Sequence, residues 1–177
     1  MAALASISDL ETYLGRPVTD VPQAELMLDM ASSAVRTYCG WELDLQTGQT
    51  MYAEGAGTAL MTLPTLCLLA VNEVRADGVV VDPAACPYKF SRKGQVWGFW
   101  LCGVQYEFDV DHGYDPVPEV LKLVSMDLTS KQMSNPEGLT SATTGQVTRT
   151  WGNTSSTSTA TAPFTPLHAG LLDRYSL

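Results

Sequence analysis

Four potential metal ligands follow one another closely in the sequence, namely Asp109, Asp111, His112 and Asp115. Carboxylate oxygens and an imidazole nitrogen are suitable ligands for a divalent ion, so a metal hydrolase is the enzymatic hypothesis for this chain. The same spacing is typical of a strand end whose alternate residues reach solvent just before a turn. No EF-hand spacing, HExxH motif or second histidine supports a metal site, so we favour the strand interpretation. We expect no catalytic residue, no bound metal and no cofactor.

No other motif in the sequence points to catalysis. The glycines of Gly94–Gly98 lie in a strand-like segment, and no helix start follows them, as a phosphate-binding loop would require. No nucleophile elbow or cysteine–histidine pair is visible. The cysteines are Cys39, Cys67, Cys86 and Cys102. Because none forms a CxxC pair, we expect free thiols in a reducing compartment rather than disulfides or zinc ligands.

The net charge argues against a protein that binds nucleic acid. The chain of 177 residues has 10 basic and 19 acidic residues and a formal charge of −9. Phosphate binding needs clustered lysines and arginines, so this surface is expected to lie beside DNA without adhering to it. The N-terminus has no basic region and no long apolar run, and no stretch approaches ~20 apolar residues. We therefore expect neither a signal peptide nor a membrane span, and one domain with an appendage.

Three helices are predicted to form a small antiparallel bundle, over residues 8–14, 21–39 and 118–134. The second has apolar residues at helical spacing, which places Ser32 and Arg36 on its outward face. The third begins at Pro118, which suits the first turn of a helix, and ends before the next proline. Asp127 and Lys131 lie one turn apart on the wetter side of this helix.

Residues 41–112 are predicted to form a β-rich insertion between the second and third helices. Short runs of valine, threonine and aromatic residues are separated there by glycine, proline and aspartate. The predicted strands span 49–53, 59–63, 68–76, 79–81, 88–91, 95–100 and 104–111. One strand carries Trp97, Phe99 and Trp100 on both faces, so we expect one face to meet the helices and the other a second subunit. Trp97 and Trp100 are the candidate interface residues. A small-molecule or glycan binder that uses these two rings is a further hypothesis.

A strand and a tether are predicted between the third helix and the C-terminal segment. Residues 146–151 are expected to be a strand. Arg149 and Trp151 lie on one side of it, either as half-buried sheet residues, which we favour, or as a partner surface at a subunit interface. Residues 152–164 are dominated by serine, threonine and alanine, which predicts a flexible tether because they bury too little apolar area to offset the entropy of ordering.

A short helix is predicted at the C-terminus, within residues 165–177. Thr165 and Pro166 form a cap and a first turn, and Leu167, Leu171 and Leu172 lie on one side. A helix this short is marginal alone, so we expect it to dock on another surface. The whole chain is thus predicted to be α+β, with a core over residues 1–151, a tether over 152–164 and a docking helix over 165–177.

Several short motifs occur in a characteristic order along the chain. They are YCGW at Tyr38–Trp41, the apolar Leu63-Pro64 segment, the turn Asp77-Gly78, GYDPVPE at Gly113–Glu119 and LLDRY at Leu171–Tyr175. In this order they resemble the head–tail connector (adaptor) proteins of long-tailed double-stranded DNA bacteriophages. The resemblance covers nearly the whole chain, and its most specific parts are the GYDPVPE turn with the helix after it and the C-terminal LLDRY.

The resemblance implies a non-enzymatic structural protein of the virion neck, made in the host cytoplasm. About twelve copies would form a closed ring under the portal protein. The ring would extend the DNA channel without specific DNA binding and present a platform for a stopper or tail-completion protein. The alternative is another neck or tail part, such as a stopper or tail terminator, although those are usually mainly β and lack long helices.

The resemblance also implies roles for particular residues. Docking on the portal or on a neighbouring subunit would use Thr165, Pro166, Leu167, Leu171, Leu172, Asp173, Arg174 and Tyr175. Three acids, Asp109, Asp111 and Asp115, are candidates for the channel wall.

Overall fold

The computed structural model describes residues 3–134 and 164–177, together with the backbone of residues 141–144 and 147–150. The chain divides into two compact units. The first comprises Met1–Val35 and Glu119–Arg174, and the second comprises Arg36–Pro118 and Tyr175–Leu177. The second unit, which is rich in strands, is therefore inserted in the sequence between the two parts of the first.

The helices of the described residues are α1 (Ile7–Leu14), α2 (Val21–Cys39), α3 (Glu119–Ser134) and α4 (Pro166–Leu172), followed by a 3₁₀ turn (Asp173–Tyr175). Helix α1 begins with a capping box, in which Ser6 and Asp9 each bond the other's backbone N–H. It ends at Gly15, whose φ of 65° is the left-handed conformation that glycine adopts without penalty. Among the described residues, none of the helices is long and apolar enough to cross a membrane.

The first unit is held by an apolar cluster and a buried pair of serines. The cluster contains Ala5, Leu10, Val18, Ala24, Leu28 and Met126. Ser32 Oγ lies 3.1 Å from Ser125 Oγ, which joins α2 to α3, and it also accepts a hydrogen bond from Leu4 N at 2.9 Å. The outward position predicted for Ser32 is therefore wrong, because its hydroxyl is satisfied by partners far away in the sequence.

The second unit contains two antiparallel sheets. The larger has the order β1-β7-β3-β4, with β1 at Gln46–Glu54, β7 at Gln105–His112, β3 at Leu68–Ala76 and β4 at Val79–Val80. The smaller has the order β2-β6-β5, with β2 at Leu60–Thr62, β6 at Gln95–Trp97 and β5 at Lys89–Phe90. Strands β8 (Ser141–Thr144) and β9 (Val147–Thr150) pair separately as a hairpin. The predicted α+β fold is confirmed.

The inner faces of both sheets meet in one apolar core. Met51, Val74 and Phe108 come from the larger sheet, and Met61 and Val96 come from the smaller. Because side chains alternate along a strand, the outer faces of the two sheets must lie on opposite sides of this unit.

Trp100 belongs to this core rather than to a strand. Strand β6 ends at Trp97, so the prediction of one strand carrying Trp97, Phe99 and Trp100 is wrong. The chain turns after Gly98, and the ring of Trp100 packs edge-on against Tyr106 and Phe108 at centroid distances of 5.0 and 5.5 Å. Its indole N–H donates to Val96 O at 3.2 Å, which allows the ring to be buried.

Arg36 and the turn after β7 tie the second unit together around Asp44. The outward position predicted for Arg36 is also wrong: its side chain is 6% exposed, and its guanidinium donates to Asp44 Oδ1 at 2.8 Å. Gly113 follows β7 with a φ of 101°, directly against the backbone of Asp44. Tyr114 N then donates to Leu43 O at 2.8 Å, which leads the chain toward α3.

Any side chain at position 113 should therefore destabilise the fold. A Cβ built there lies 2.2 Å from Asp44 O, whereas one at Gly78, which also has positive φ, meets nothing within 4 Å. We expect Gly78→Ala to lower the free energy of unfolding by about 1 kcal/mol, from backbone strain alone. Gly113→Ala should lose about 2 kcal/mol more, because the backbone of Asp44 must also move. Urea unfolding of both variants measures the difference, and equal losses would show that the close approach is unimportant.

Candidate functional site

The three aspartates and the histidine of the metal-site hypothesis do not converge on one point. Asp109 and Asp111 lie on the outer face of β7, whereas His112 is buried on the inner face. The imidazole Nε2 pairs with Gln49 Oε1, and burial lowers the pKa of His112, although Asp44 opposes this shift. Asp115 is exposed beyond the strand. Within residues 3–134 and 164–177, no group of three or more His, Cys, Asp or Glu side chains is arranged to hold a metal ion.

The outer face of the larger sheet is instead an acidic surface. We define this acidic sheet face by Glu54, Glu73, Glu107, Asp109 and Asp111. In the register of the sheet, Asp109 lies between Thr50 and Glu73, and Glu107 lies between Tyr52 and Arg75. Arg75 Nε is 2.5 Å from Glu73 Oε1, so the basic residue on this face is already paired.

Two of these acids are positioned by hydrogen bonds. Asn72 Nδ2 donates to Asp109 Oδ1 at 3.3 Å and to Asp111 Oδ1 at 3.0 Å. Gly48 N also donates to Asp111 Oδ1, at 2.8 Å. The two carboxylates are thus held at the surface by neutral donors, and their negative charge remains available to solvent or to a partner.

The outer face of the smaller sheet is apolar and bordered by bases. Leu60, Trp97 and Lys89 stand side by side across its three strands, and Leu60 and Trp97 are each 41% exposed. Phe99, just after β6, is 76% exposed. Arg92 and Lys93 are exposed in the turn between β5 and β6. We define the basic–apolar tip as Leu60, Lys89, Arg92, Lys93, Trp97 and Phe99.

The other predicted interface residues have a different placement. Trp100 is 5% exposed and is buried by its own unit, so it has little surface for a partner. Arg149 lies in β9, of which the structure describes the backbone, and Trp151 lies outside the described residues. Residues 152–163 of the predicted tether also lie outside them.

The predicted docking helix has one face that is already covered. Thr165 caps α4 by accepting a hydrogen bond from His168 N, and His168 and Leu172 are buried. Pro166, Leu167, Asp173 and Arg174 are exposed, with Leu167 at 71%. The free side of the helix is therefore the side that carries Leu167, while Leu171 is half-buried.

Asp127 holds α4 in the first unit through a hydrogen bond to His168 that the sequence did not reveal. His168 Nδ1 accepts a hydrogen bond from Thr165 N, so Nε2 carries the proton and donates to Asp127 Oδ2 at 2.7 Å. Lys131 Nζ lies 2.7 Å from the same oxygen, and Tyr13 OH donates to Asp127 Oδ1 at 3.2 Å. Burial raises the pKa of Asp127, but Lys131 and His168 outweigh that effect and hold it below its ordinary value.

The last residues of the chain belong to the second unit and are hydrogen-bonded to other parts of it. Trp41 Nε1 donates to Tyr175 O at 2.7 Å, and Leu177 N donates to Cys39 O at 3.0 Å. The rings of Tyr114 and Tyr175 meet edge-on at 6.0 Å. All four cysteines are free, and burial raises the pKa of the Cys39 thiol to about 11, which makes it a poor nucleophile.

Comparison with known proteins identifies the fold. No protein-family model and no curated protein sequence matches the chain. Among solved structures it is similar to the neck of an empty GTA (gene transfer agent) particle computed with C6 symmetry, at 13% identity and a TM-score of 0.57, over 98% of this chain and 89% of that chain. The chain has the fold of a GTA neck protein. The neck of a native GTA particle computed with C12 symmetry is similar too, at 14% identity and a TM-score of 0.54, over 96% and 87% of the two chains. At these identities the likeness shows the fold, and the fold implied by the resemblance to connector proteins is the one observed.

Asp127→Asn should remove the charge that α4 relies on. We expect the free energy of unfolding to fall by about 1–3 kcal/mol at pH 7, as for hydrogen bonds to a charged group. The pKa of Asp127 is lowered by folding, so its contribution is present above about pH 4 and is lost as the pH falls through the folded value. Urea unfolding at pH 7 and pH 3 should therefore show a smaller difference between variant and wild type at pH 3. Asp29→Asn, at an exposed position of α2, is the matched control. An equal deficit at both pH values would contradict the assignment.

Proposed function

We propose that this chain is a head-to-tail connector, a non-enzymatic structural protein of the virion neck. In this proposal, copies of the chain form a ring under the portal protein, extend the DNA channel and provide the platform for the next neck or tail protein. The observation that carries it is the likeness to solved necks along 98% of the chain, which includes both units and the C-terminal helix. The order of motifs in the sequence supports the same role independently.

We propose a ring of twelve copies. One neck of the same fold was computed with C12 symmetry and another with C6 symmetry, and both are compatible with twelve subunits. Such a ring needs a head-to-tail contact between two different surfaces of each copy. The second unit of this chain presents two such surfaces, the acidic sheet face and the basic–apolar tip.

The charge of the chain suits a channel through which DNA moves. At −9 for each copy, the assembled ring has a strong negative potential that repels phosphates over the range set by salt screening. A protein that bound phosphates would release counterions and hold the DNA in place. We propose that acids, with Asp115 as an exposed candidate, line the channel and leave the DNA free to slide.

We propose that the exposed side of α4 docks on the portal. Leu167 is an apolar side chain 71% exposed at the start of the helix, with Pro166 beside it and Arg174 near its end. Burial of a leucine contributes about 1.5–3 kcal/mol, which is a useful share of the affinity at each of many identical contacts.

Leu167→Asp should weaken the docking of the ring on the portal while leaving the fold intact. Negative-stain electron microscopy of the chain mixed with the portal protein of the same genome should show an added ring of density at the tail-facing end of the portal. With Leu167→Asp we expect binding to the portal to weaken by at least about tenfold. Removal of residues 165–177 is a less clean test, since it also deletes the buried His168 and Leu172.

Val79→Asp is the matched control, because Val79 is 70% exposed in the second unit. It should bind the portal like the wild type. A Leu167→Asp variant that docks normally would overturn the role of α4. If the wild type leaves the portal bare at tens of micromolar concentration, the connector proposal fails and a tail-completion role becomes the better hypothesis.

A further inference from the structure

Three basic residues of this chain lie close together at one place. The sequence has 10 lysines and arginines, and Lys89, Arg92 and Lys93 lie within a single short hairpin between β5 and β6. All three are exposed, and within the part of the chain that the structure describes none of them forms an ion pair. By contrast, Arg36, Arg75, Lys122 and Lys131 are each paired with a carboxylate. A protein of net charge −9 therefore presents a compact cationic surface within the residues that the structure describes.

Apolar side chains accompany these bases. Leu60 and Trp97 are cross-strand neighbours on the outer face of the smaller sheet, and Lys89 is the next residue in the same row. Phe99 extends the apolar surface and is 76% exposed. A surface that serves phosphates alone needs no exposed aromatic row, whereas a protein interface combines aromatic anchors with charges at its edge.

The acidic sheet face has the complementary character. Its charge comes from Glu54, Glu107, Asp109 and Asp111, none of which forms an ion pair among the described residues, and from Glu73, which Arg75 neutralises. Tyr52 is 60% exposed in the same face and offers a ring on which a lysine or arginine can stack. Charge and aromatic groups on this face thus match those of the basic–apolar tip.

The two surfaces lie on opposite sides of one unit. Residues from both sheets share a single core, so the outer face of the larger sheet and the outer face of the smaller sheet point away from each other. A head-to-tail ring requires this arrangement, because each copy must contact one neighbour with each of two different surfaces. Two surfaces on the same side would instead favour a closed pair.

We propose that the basic–apolar tip of one copy docks on the acidic sheet face of the next copy, and that this contact closes the ring. The inference rests on the proposed connector function, since that function requires a ring. Copies of charge −9 repel one another, and short-range complementarity between unlike surfaces overcomes this repulsion where the copies touch. Asp109 and Asp111 then lie at the subunit contact rather than on the channel wall.

Charge reversal tests the contact in both directions. The tip variant carries Lys89→Glu with Lys93→Glu, and the face variant carries Glu54→Lys with Glu107→Lys. Each is mixed with the portal protein of the same genome, and the rings formed on the portal are counted by electron microscopy over a range of concentrations. We expect each variant alone to form rings at least about tenfold less efficiently than the wild type, because like charges meet at every contact.

Mixing the two variants should restore the ring. The reversed tip of one variant then meets the reversed face of the other, and the two unchanged surfaces meet in the next contact around the ring. An alternating ring has only matched contacts, so we expect its yield to return to within about twofold of the wild-type yield. A contact that used other surfaces would give no such rescue.

Controls separate an assembly defect from a folding or charge effect. Arg16→Glu with Thr19→Asp and Gln23→Asp changes the net charge as the tip variant does, at exposed positions of the first unit, and should assemble normally. Far-ultraviolet circular dichroism and thermal unfolding of all variants should match the wild type. Glu54→Lys alone replaces the face variant if the double substitution unfolds.

The outcomes distinguish the contact from the function. Loss with each variant and rescue on mixing support the proposal. Normal rings from either variant, or loss without rescue by folded variants, overturn the contact and leave the connector function standing. If the wild type retains double-stranded DNA and the tip variant does not, while the ring yield is unchanged, then the tip is a DNA-binding surface. That result would overturn the proposal. A portal left bare by the wild type overturns the function and the contact together.

Discussion

Strand β7 is hydrogen-bonded along both edges, to β1 and to β3, and the architecture of the second unit depends on this constraint. A strand in this position has no free edge, so its two faces must serve two different environments. Tyr106 and Phe108 fill the core on one face, while Glu107 and Asp109 alternate with them on the other. Because the period is two, no residue can change face unless the whole strand shifts its register. The apolar core and the acidic sheet face are therefore consequences of the same pairing.

Local patterns in the sequence were sufficient for most elements of the fold. The apolar run before the Asp77-Gly78 turn gave the bounds of β3, and the proline and glycine signals gave the ends of α2 and α3 to within a residue. The errors share one physical cause, which is a polar or aromatic side chain whose hydrogen bonds are satisfied inside the fold. Ser32 shares a hydrogen bond with Ser125. Arg36 donates to Asp44, and the indole of Trp100 donates to the carbonyl of Val96, so all three side chains can be buried. Hydrophobic periodicity contains no information about such partners.

The candidate surfaces show the same limit. A short amphipathic helix at the C-terminus could be predicted, but its orientation could not, because His168 and Asp127 are separated by 41 positions in the sequence. That bond, with the burial of Leu172, leaves Leu167 on the exposed side. The basic–apolar tip was missed for a different reason. Lys89, Arg92 and Lys93 are unremarkable in the sequence, and become a surface when the register of β5 with β6 aligns Lys89 with Trp97.

A connector of the proposed kind faces two opposed electrostatic requirements. It must repel DNA, which favours a large negative charge, and it must associate with copies of itself, which the same charge opposes. Repulsion between whole chains acts over roughly 8 Å at physiological salt, while contacts between surfaces act at van der Waals distance with water excluded. Both requirements are met if several exposed bases are gathered with apolar side chains at one surface, as Lys89, Arg92 and Lys93 are, instead of all being dispersed. Dispersed bases would weaken the repulsion of DNA everywhere and strengthen no particular contact, so clustering on one side of the second unit, opposite an acidic face, is the arrangement that reconciles the two.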